Sequence, residues 1–239
     1  NHEDLENVFK AGFSNVSIDL IYGLPGSTGK SLEESIHSVM EYPVTHVSAY
    51  HLTIERNTKF YELFLKGILK EISDEKSTNQ FRLLTEKLVD HGFEQYEISN
   101  FARAGRYSIH NSNYWKGIPY IGLGPSAHSF DGETRRWNVS DVEVYIQSAL
   151  KGNISSEEEQ LSTKDRFNEY IMTGLRTTWG VNKKIIEEKF GASLADYFNR
   201  MSGKYIDSGD MTRNGDLYLL TKKGKFLSDY IIRDIIVTE

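Results

Sequence analysis

The first hundred residues alternate between segments with the hydrophobic spacing of helices and segments with that of strands. Leu5, Val8 and Phe9 share one helical face, and residues 16–22 form a strand with apolar side chains on both faces. Burial on both faces is typical of a parallel sheet. The later elements are helices around Leu32–Ile36–Val39 and Phe81–Leu84–Leu88, and strands at 46–53 and 93–98. Strands alternating with helices predict an α/β sheet or barrel.

Two of these helices are expected to end in the same way. Gly12 and Gly92 each follow the last residue of a helical pattern, and each is followed by phenylalanine, Phe13 and Phe93. A left-handed glycine followed by an apolar residue that packs on the last turn is a common helix end.

The hydrophobic pattern weakens after Phe101, and residues 101–138 predict a long loop of the kind that usually carries function. Residues 152–160 are predicted to be a solvated connector. Three helices then follow, the third capped by Ser193. Asn214-Gly215 predicts a type I′ hairpin, and a last helix is expected over 222–235. We therefore expect two domains, 1–140 and 141–239, the second a smaller winged-helix-like α+β domain.

Composition excludes several classes of function. The chain has 239 residues, no cysteine and a net charge of −6. Disulfides, thiolate nucleophiles and cysteine-ligated clusters are therefore excluded within this chain. The acidic balance disfavours nucleic acid, and the third helix of the second domain offers only Arg200, beside Asp196. No apolar run is long enough to cross a membrane, and no secretory leader is visible, so we expect a cytoplasmic protein. A first residue other than Met indicates a piece of a longer chain.

A glycine-rich turn at residues 23–31 (GLPGSTGKS) lies between a strand and a helix, as a phosphate-binding loop does. Its spacing is wrong for that loop, because five residues instead of four separate Gly23 from Gly29. We interpret it as a helix start, with Ser31 as the cap and Glu34 completing a capping box.

Two further segments are candidate sites. Asp19 is the only carboxylate in its apolar strand, close to the strand's C-terminal end, where α/β folds bind ligands; a structural hydrogen bond is the alternative. His110 lies among Asn111, Tyr114 and Trp115. An imidazole can ligate the metal of a flat aromatic cofactor whose face packs on the rings, or the segment is a loop that packs its own aromatics.

Three other residues extend this second candidate. Arg103 and Arg106, just upstream, could pair with cofactor carboxylates. In the glycine-rich run 122–130, His128 is either a second ligand or a structural histidine.

Five runs in order resemble one known family. They are 17–25 (SIDLIYGLP), 48–55 (SAYHLTIE), 96–102 (YEISNFA), 110–115 (HNSNYW) and 122–130 (GLGPSAHSF). They are similar to the radical S-adenosylmethionine proteins of the coproporphyrinogen-oxidase-like group, in the order and spacing of its heme chaperone branch. The resemblance covers nearly the whole chain and implies a partial parallel β/α barrel (TIM-like) followed by a smaller C-terminal domain.

The resemblance also implies site residues and cofactors. It assigns Asp19, Gly23 and Thr53 to S-adenosylmethionine. It assigns heme or another tetrapyrrole to a second group of residues, with His110 as the ligand of the iron. This group is His110, Asn111, Tyr114 and Trp115.

The chain departs from the family in one respect. The CxxxCxxC motif, which holds a 4Fe–4S cluster in the intact family members, is absent. Three functions therefore stay open. The protein is a heme chaperone that passes heme to an unknown recipient protein, an oxidase that decarboxylates porphyrinogen propionates by radical chemistry, or a cluster-free binding module.

Overall fold

The computed structural model describes residues 2–238. The chain divides into two compact units, one ending at Ser108 and the other beginning at Ile109. The segment 110–115 therefore belongs to the second unit. The domain boundary expected at residue 140 lies inside this second unit, and it stays a prediction.

The N-terminal unit contains four helices and four strands among its described residues. The helices are α1 (His2–Lys10), α2 (Gly29–Met40), α3 (Lys59–Leu65) and α4 (Asp74–Asp90), and the strands are β1 (Ser17–Tyr22), β2 (His46–His51), β3 (Glu94–Glu97) and β4 (Asn100–Ala102). The strands form one open sheet in the order β1-β2-β4-β3.

The sheet combines a parallel pair with a hairpin. β1 and β2 are parallel and in register from Ser17↔His46 to Tyr22↔His51. β4 is antiparallel to both β2 and β3, so it separates the predicted strand at 93–98 from β2. The sequence pattern missed β4 because a three-residue strand is too short to show a period of two.

The helix-facing side of this sheet forms the core of the unit. Val47, Ala49 and Phe101 are buried there against Ile36 of α2 and Leu84 of α4. Burying one such large apolar side chain contributes about 1.5–3 kcal/mol.

The edge strand β1 differs from the prediction, since only one of its faces is covered. Ile18 and Leu20 are half-buried, whereas Asp19 and Ile21 on the opposite face are exposed. The expectation that β1 is buried on both faces is therefore wrong for this chain.

The predicted glycine ends of α1 and α4 are confirmed. Gly12 and Gly92 have φ of 90° and 82°. The N–H of Phe13 donates to the carbonyl of Val8, and the N–H of Phe93 donates to that of Leu88. Only Phe93 is buried, however, since 64% of Phe13 is exposed.

The start of α2 differs from the prediction by one turn. Thr28 is the N-cap, and its hydroxyl accepts from the N–H of Ser31. The Ser31 hydroxyl accepts in turn from the N–H of Thr28. Ser31 therefore takes the place in the capping box that was expected for Glu34, and Thr28 takes the place expected for Ser31.

The C-terminal unit contains seven helices and six strands among its described residues. The helices are α5 (Ile109–Trp115), α6 (Val142–Leu150), α7 (Thr163–Leu175), α8 (Lys183–Phe190), α9 (Ala192–Asp207), α10 (Lys222–Lys225) and α11 (Ser228–Ile235), and the strands are β5 (His128–Phe130), β6 (Thr134–Asn138), β7 (Ser156–Gln160), β8 (Val181–Asn182), β9 (Met211–Asn214) and β10 (Leu217–Leu220). They form two antiparallel sheets, in the orders β5-β6-β7 and β8-β10-β9.

Several expectations for this unit need correction. The solvated connector contains β7, which pairs with β6 although all of its residues are exposed. α9 has Gly191 as its N-cap and no side-chain cap, so Ser193 is not the cap. The last helix is split into α10 and α11.

The predicted hairpin forms with a different turn. Asn214 pairs with Leu217, so the turn residues are Gly215 and Asp216. Gly215 has a φ of 60°, and Asp216 does not have a positive φ. A single positive φ, at the first turn residue, is the pattern of a type II′ turn and not of the predicted type I′.

The core of the C-terminal unit is aromatic and aliphatic. Phe167 of α7, Ile186 of α8, Phe198 of α9, Tyr218 of β10 and Ile235 of α11 are fully buried in one cluster. The helices and the hairpin therefore form one packed body. No helix within residues 2–238 is long and apolar enough to cross a membrane.

Two glycines of this unit give a matched test of the packing. At Gly224 an added Cβ overlaps the carbonyl oxygen of Asp210, whereas at Gly203 in α9 it meets nothing within 4 Å. We expect Gly224→Ala to lower the free energy of unfolding by about 1–3 kcal/mol, because the backbone has to move. Gly203→Ala should raise it by roughly 1 kcal/mol through helix propensity. Denaturant unfolding followed by tryptophan fluorescence measures both. Equal effects of the two substitutions would contradict the packing described.

Candidate functional sites in the two units

One face of the N-terminal sheet is polar. Residues directly opposite each other on neighbouring strands point to the same side of a sheet, whether the strands are parallel or antiparallel. Asp19 of β1 is in register with Ser48 of β2, and Ser48 is in register with Asn100 of β4. These side chains lie on the face opposite the apolar core and form the candidate site of the N-terminal unit.

A chain of hydrogen bonds crosses this face. The imidazole Nδ1 of His46 is 2.8 Å from Ser17 Oγ, and its Nε2 is 2.8 Å from Tyr96 Oη. Tyr96 Oη also accepts from the N–H of Ser108. Burial lowers the pKa of His46, although the Asp19 charge acts in the opposite direction. Burial also raises the pKa of Tyr96 to about 12. Both side chains are therefore neutral at pH 7.

A buried carboxylate and a buried amide lie beside this chain. Glu97, 1% exposed, accepts from the N–H of Ser99 and from Nδ2 of Asn100. The other amide atom of Asn100, Oδ1, is buried and has no hydrogen-bond partner within residues 2–238. An unsatisfied buried acceptor costs about 1–3 kcal/mol, so a donor from a bound ligand would be favourable here.

The three residues expected to bind S-adenosylmethionine occupy different levels of the sheet. Gly23 follows β1 directly, and Thr53 lies exposed two residues beyond the end of β2. Asp19 was expected close to the carboxyl end of β1. It is the third of the six residues of this strand, and it therefore lies roughly 10 Å along the strand from that end. Asp19 faces the polar side of the sheet and is exposed.

The surroundings of residue 23 give a structural reason for a glycine at this position. Its N–H donates to Oε1 of Gln80 at 2.8 Å. An added Cβ would lie 2.6 Å from Nε2 of His51. The amide of Gly23 is therefore engaged within the chain.

Gln80 is a site residue that the sequence analysis missed. It is 5% exposed, and its Nε2 donates to Ser27 Oγ while its Oε1 accepts from Gly23. Gln80 thus holds both ends of the turn after β1. The signal that could have found it is a polar residue on the buried face of α4, next to Phe81.

The candidate heme segment is a short helix, α5, and not the predicted loop. His110 is exposed, and its ring meets that of Tyr114 edge-on, with centroids 4.9 Å apart. Tyr114 in turn meets Tyr120 edge-on at 4.7 Å. The two residues His110 and Tyr114 are one helical turn apart, which explains their contact. Asn111 is half-buried on the same helix.

Trp115 ends α5 and has a different environment. It is half-buried, and the guanidinium of Arg176 lies 5.7 Å from its ring centroid. Its Nε1 is buried without a hydrogen-bond partner in the described chain. The next residue, Lys116, places its ammonium 4.6 Å from the ring centroid of Trp179.

Arg103 has a structural role in the N-terminal unit. Its guanidinium donates to the carbonyls of Val44 and His91 and lies 4.6 Å from the ring centroid of Phe93. These contacts do not favour the hypothesis that Arg103 pairs with cofactor carboxylates. Arg106 is exposed.

The glycine-rich run 122–130 packs on its own backbone. Nδ2 of Asn138 donates to the carbonyls of Gly122 and Gly124, and an added Cβ on Gly122 would overlap the carbonyl of His128. His128 is exposed, with its ring 6.0 Å from that of Trp137. The structural interpretation of this run is therefore the better one. Residues 2–238 contain no group of three or more metal-ligating side chains.

The buried imidazole of His46 makes stability depend on pH. Its pKa is lowered in the folded state, so the unfolded state binds more protons as the pH falls past the ordinary value of 6.5. The N-terminal unit should therefore lose stability between about pH 7 and pH 5, and His46→Gln should flatten this dependence. Hydrogen exchange of residues 44–51 measures it. His37→Gln, at an exposed histidine, is the control. An equally steep dependence in His46→Gln would contradict the assignment.

Comparison with known proteins identifies relatives of this chain. The family model of the HemN C-terminal domain matches residues 161–227. The heme chaperone HemW of Bacillus subtilis is 38% identical over 227 residues, which cover 95% of this chain and 60% of that protein. HemW of Mycobacterium tuberculosis is 31% identical over 94% of this chain and 56% of its own length. The chain thus spans about 60% of the length of these relatives.

A solved structure has the same fold. Coproporphyrinogen III oxidase (HemN) from Escherichia coli, a radical SAM enzyme, matches with a TM-score of 0.75 over 99% of this chain and 58% of its own chain. Its sequence identity of 19% makes this a statement about fold alone. The match confirms the predicted fold class, a partial β/α barrel followed by a C-terminal domain; the sheet here is open. Residues 161–227 of this chain match the HemN C-terminal domain, and the chain as a whole is similar to HemW proteins over about 60% of their length.

Proposed function

We propose that this protein binds heme through α5 and acts as a heme chaperone. The observation that carries the proposal is the exposed imidazole of His110, which is held edge-on by Tyr114 and, through it, by Tyr120. Imidazole is a common axial ligand of heme iron, and aromatic rings pack well on an apolar macrocycle. Relatives that share 38% and 31% identity with this chain are heme chaperones. A heme-accepting protein is the partner that this function requires.

We further propose that the polar face of the N-terminal sheet contributes to binding S-adenosylmethionine. The residues fit this ligand, because exposed Asp19 can accept from its amino or hydroxyl groups and Asn100 Oδ1 is an acceptor without a donor within residues 2–238. Thr53 is exposed beyond the end of β2 and can also reach a ligand. Gly23 contributes by shaping the turn, since its amide is bonded to Gln80.

The 4Fe–4S cluster of the family does not fit the residues of this chain. Cluster ligands in the family are cysteines, and this sequence has none. We prefer the chaperone over the oxidase because of the HNSNYW run and because relatives of 38% and 31% identity are heme chaperones. The cytoplasmic location expected from the sequence stays a prediction.

Heme titration tests the first proposal. Hemin added to the 239-residue chain should give a shifted Soret band, and His110→Ala should abolish or displace that band because the axial nitrogen is lost. Circular dichroism checks that the variant stays folded, as expected for an exposed residue. His37→Ala, at another exposed histidine, is the control and should leave the band unchanged. A wild-type spectrum and affinity in His110→Ala would remove His110 as the ligand.

Calorimetry tests the second proposal. In a polypeptide that joins this chain to a cluster-binding CxxxCxxC segment, Asp19→Ala should weaken S-adenosylmethionine binding by about tenfold or more, the usual effect of removing a charged hydrogen-bond partner. Glu34→Ala, at an exposed carboxylate of α2, is the control. Unchanged affinity of Asp19→Ala would show that this carboxylate does not contact the cofactor.

A further inference from the structure

The C-terminal unit contains a cleft of about 900 Å³ beside α5. This volume lies within the range of roughly 300–1,000 Å³ that is typical of small-molecule sites. The cleft is lined by aromatic side chains from α5, α7, β5 and the loops beside them. They include Tyr114, Trp115, Tyr120, Phe130, Tyr170 and Trp179, and α8 adds Phe190. Flat rings on several sides favour a flat, aromatic ligand.

The charges of the cleft favour an anion. Its lining contains four cationic side chains and two carboxylates, whereas the chain as a whole has a net charge of −6. The carboxylates are paired, Glu169 with Arg135 at 2.8 Å and Glu133 with Arg166 at 3.5 Å. The other two cations are Lys116 and Lys189.

Lys116 can bind a carboxylate without breaking either of these ion pairs. It is exposed, and its ammonium lies over the ring of Trp179. A carboxylate next to Lys116 would receive a charge-assisted hydrogen bond.

We infer that this cleft is a binding site for planar aromatic carboxylates, and that it holds the macrocycle and propionates of the tetrapyrrole whose iron His110 ligates. This inference rests on the proposed heme function, and it adds a site that works without iron. His110 is not part of the cleft lining, but its ring contacts Tyr114, which is. Ligation of the iron and binding of the macrocycle are therefore separable.

Metal-free protoporphyrin IX is the probe, because it has the rings and carboxylates but no iron. Its fluorescence anisotropy should rise on addition of the 239-residue chain. Binding of the probe should also quench the tryptophan emission of the protein. All three tryptophans lie in the C-terminal unit, and two of them line the cleft. The uncharged dimethyl ester should bind more weakly, because it has no carboxylate for Lys116.

A pair of charge reversals tests the site itself. Lys116→Glu should weaken binding of the metal-free porphyrin by about tenfold or more, because it places a carboxylate against the propionates. Lys151→Glu, at an exposed lysine of the same unit that does not line the cleft, makes the same change in net charge and should bind normally. Equal affinities of the two variants, or no binding of the probe by the wild type, would overturn the inference.

The two proposals fail in different ways. If hemin shows a Soret shift that depends on His110 but metal-free porphyrin does not bind, the cleft inference is wrong and the heme function stands. If metal-free porphyrin binds through Lys116 but the hemin band does not depend on His110, the cleft inference stands and the ligation is wrong.

Discussion

The in-register parallel pairing of β1 and β2 determines which side chains of the N-terminal unit can reach a ligand. The side-chain period of a strand is two, so a slip of one residue would exchange the two faces of the sheet. In the observed register, Val47 and Ala49 face the helices, while Asp19 and Ser48 share the opposite face. The apolar core fixes this register, because the alternative would bury Asp19 against Leu84 and Leu88 without a partner. The polar site is thus specified by the packing behind it.

The same constraint explains why the sequence predicted some features and not others. Asp19 stood out because it is a single carboxylate among apolar residues, and the glycines that end α1 and α4 stood out because they follow long periodic patterns. His46, Tyr96 and Asn100 did not stand out, since each belongs to a short strand. The partners of His46 are 29 and 50 residues away, and Asn100 matters through an atom that has no partner within residues 2–238. Such pairings depend on register and on the insertion of β4, which a local pattern does not encode.

In the C-terminal unit, the sequence predicted that the side chains of the HNSNYW segment lie together, but it did not predict the contacts that hold them in place. Sequence spacing placed His110, Tyr114 and Trp115 together as a loop. The structure makes them a seven-residue helix, too short to be stable alone, whose rings meet Tyr120 from a loop and Arg176 from the end of α7. Aromatic pairs of this kind contribute roughly 0.5–1.5 kcal/mol each beyond burial, enough to hold a short helix that is anchored at one end. Propensity alone predicts a loop, and the tertiary contacts make it a helix.

An exposed histidine on a short helix would suit a protein that has to release what it binds. A heme buried on both faces would leave slowly, because differences in affinity between related complexes lie mostly in the dissociation rate. If His110 ligates the iron from the surface and the neighbouring cleft holds one side of the macrocycle, the other axial position and face stay open to a ligand from a recipient protein. Exchange can then proceed by stepwise replacement of one ligand, with no need to unfold the C-terminal core, whose buried cluster is formed by other residues. An exposed helix beside a packed core is thus the arrangement that the proposed carrier function requires.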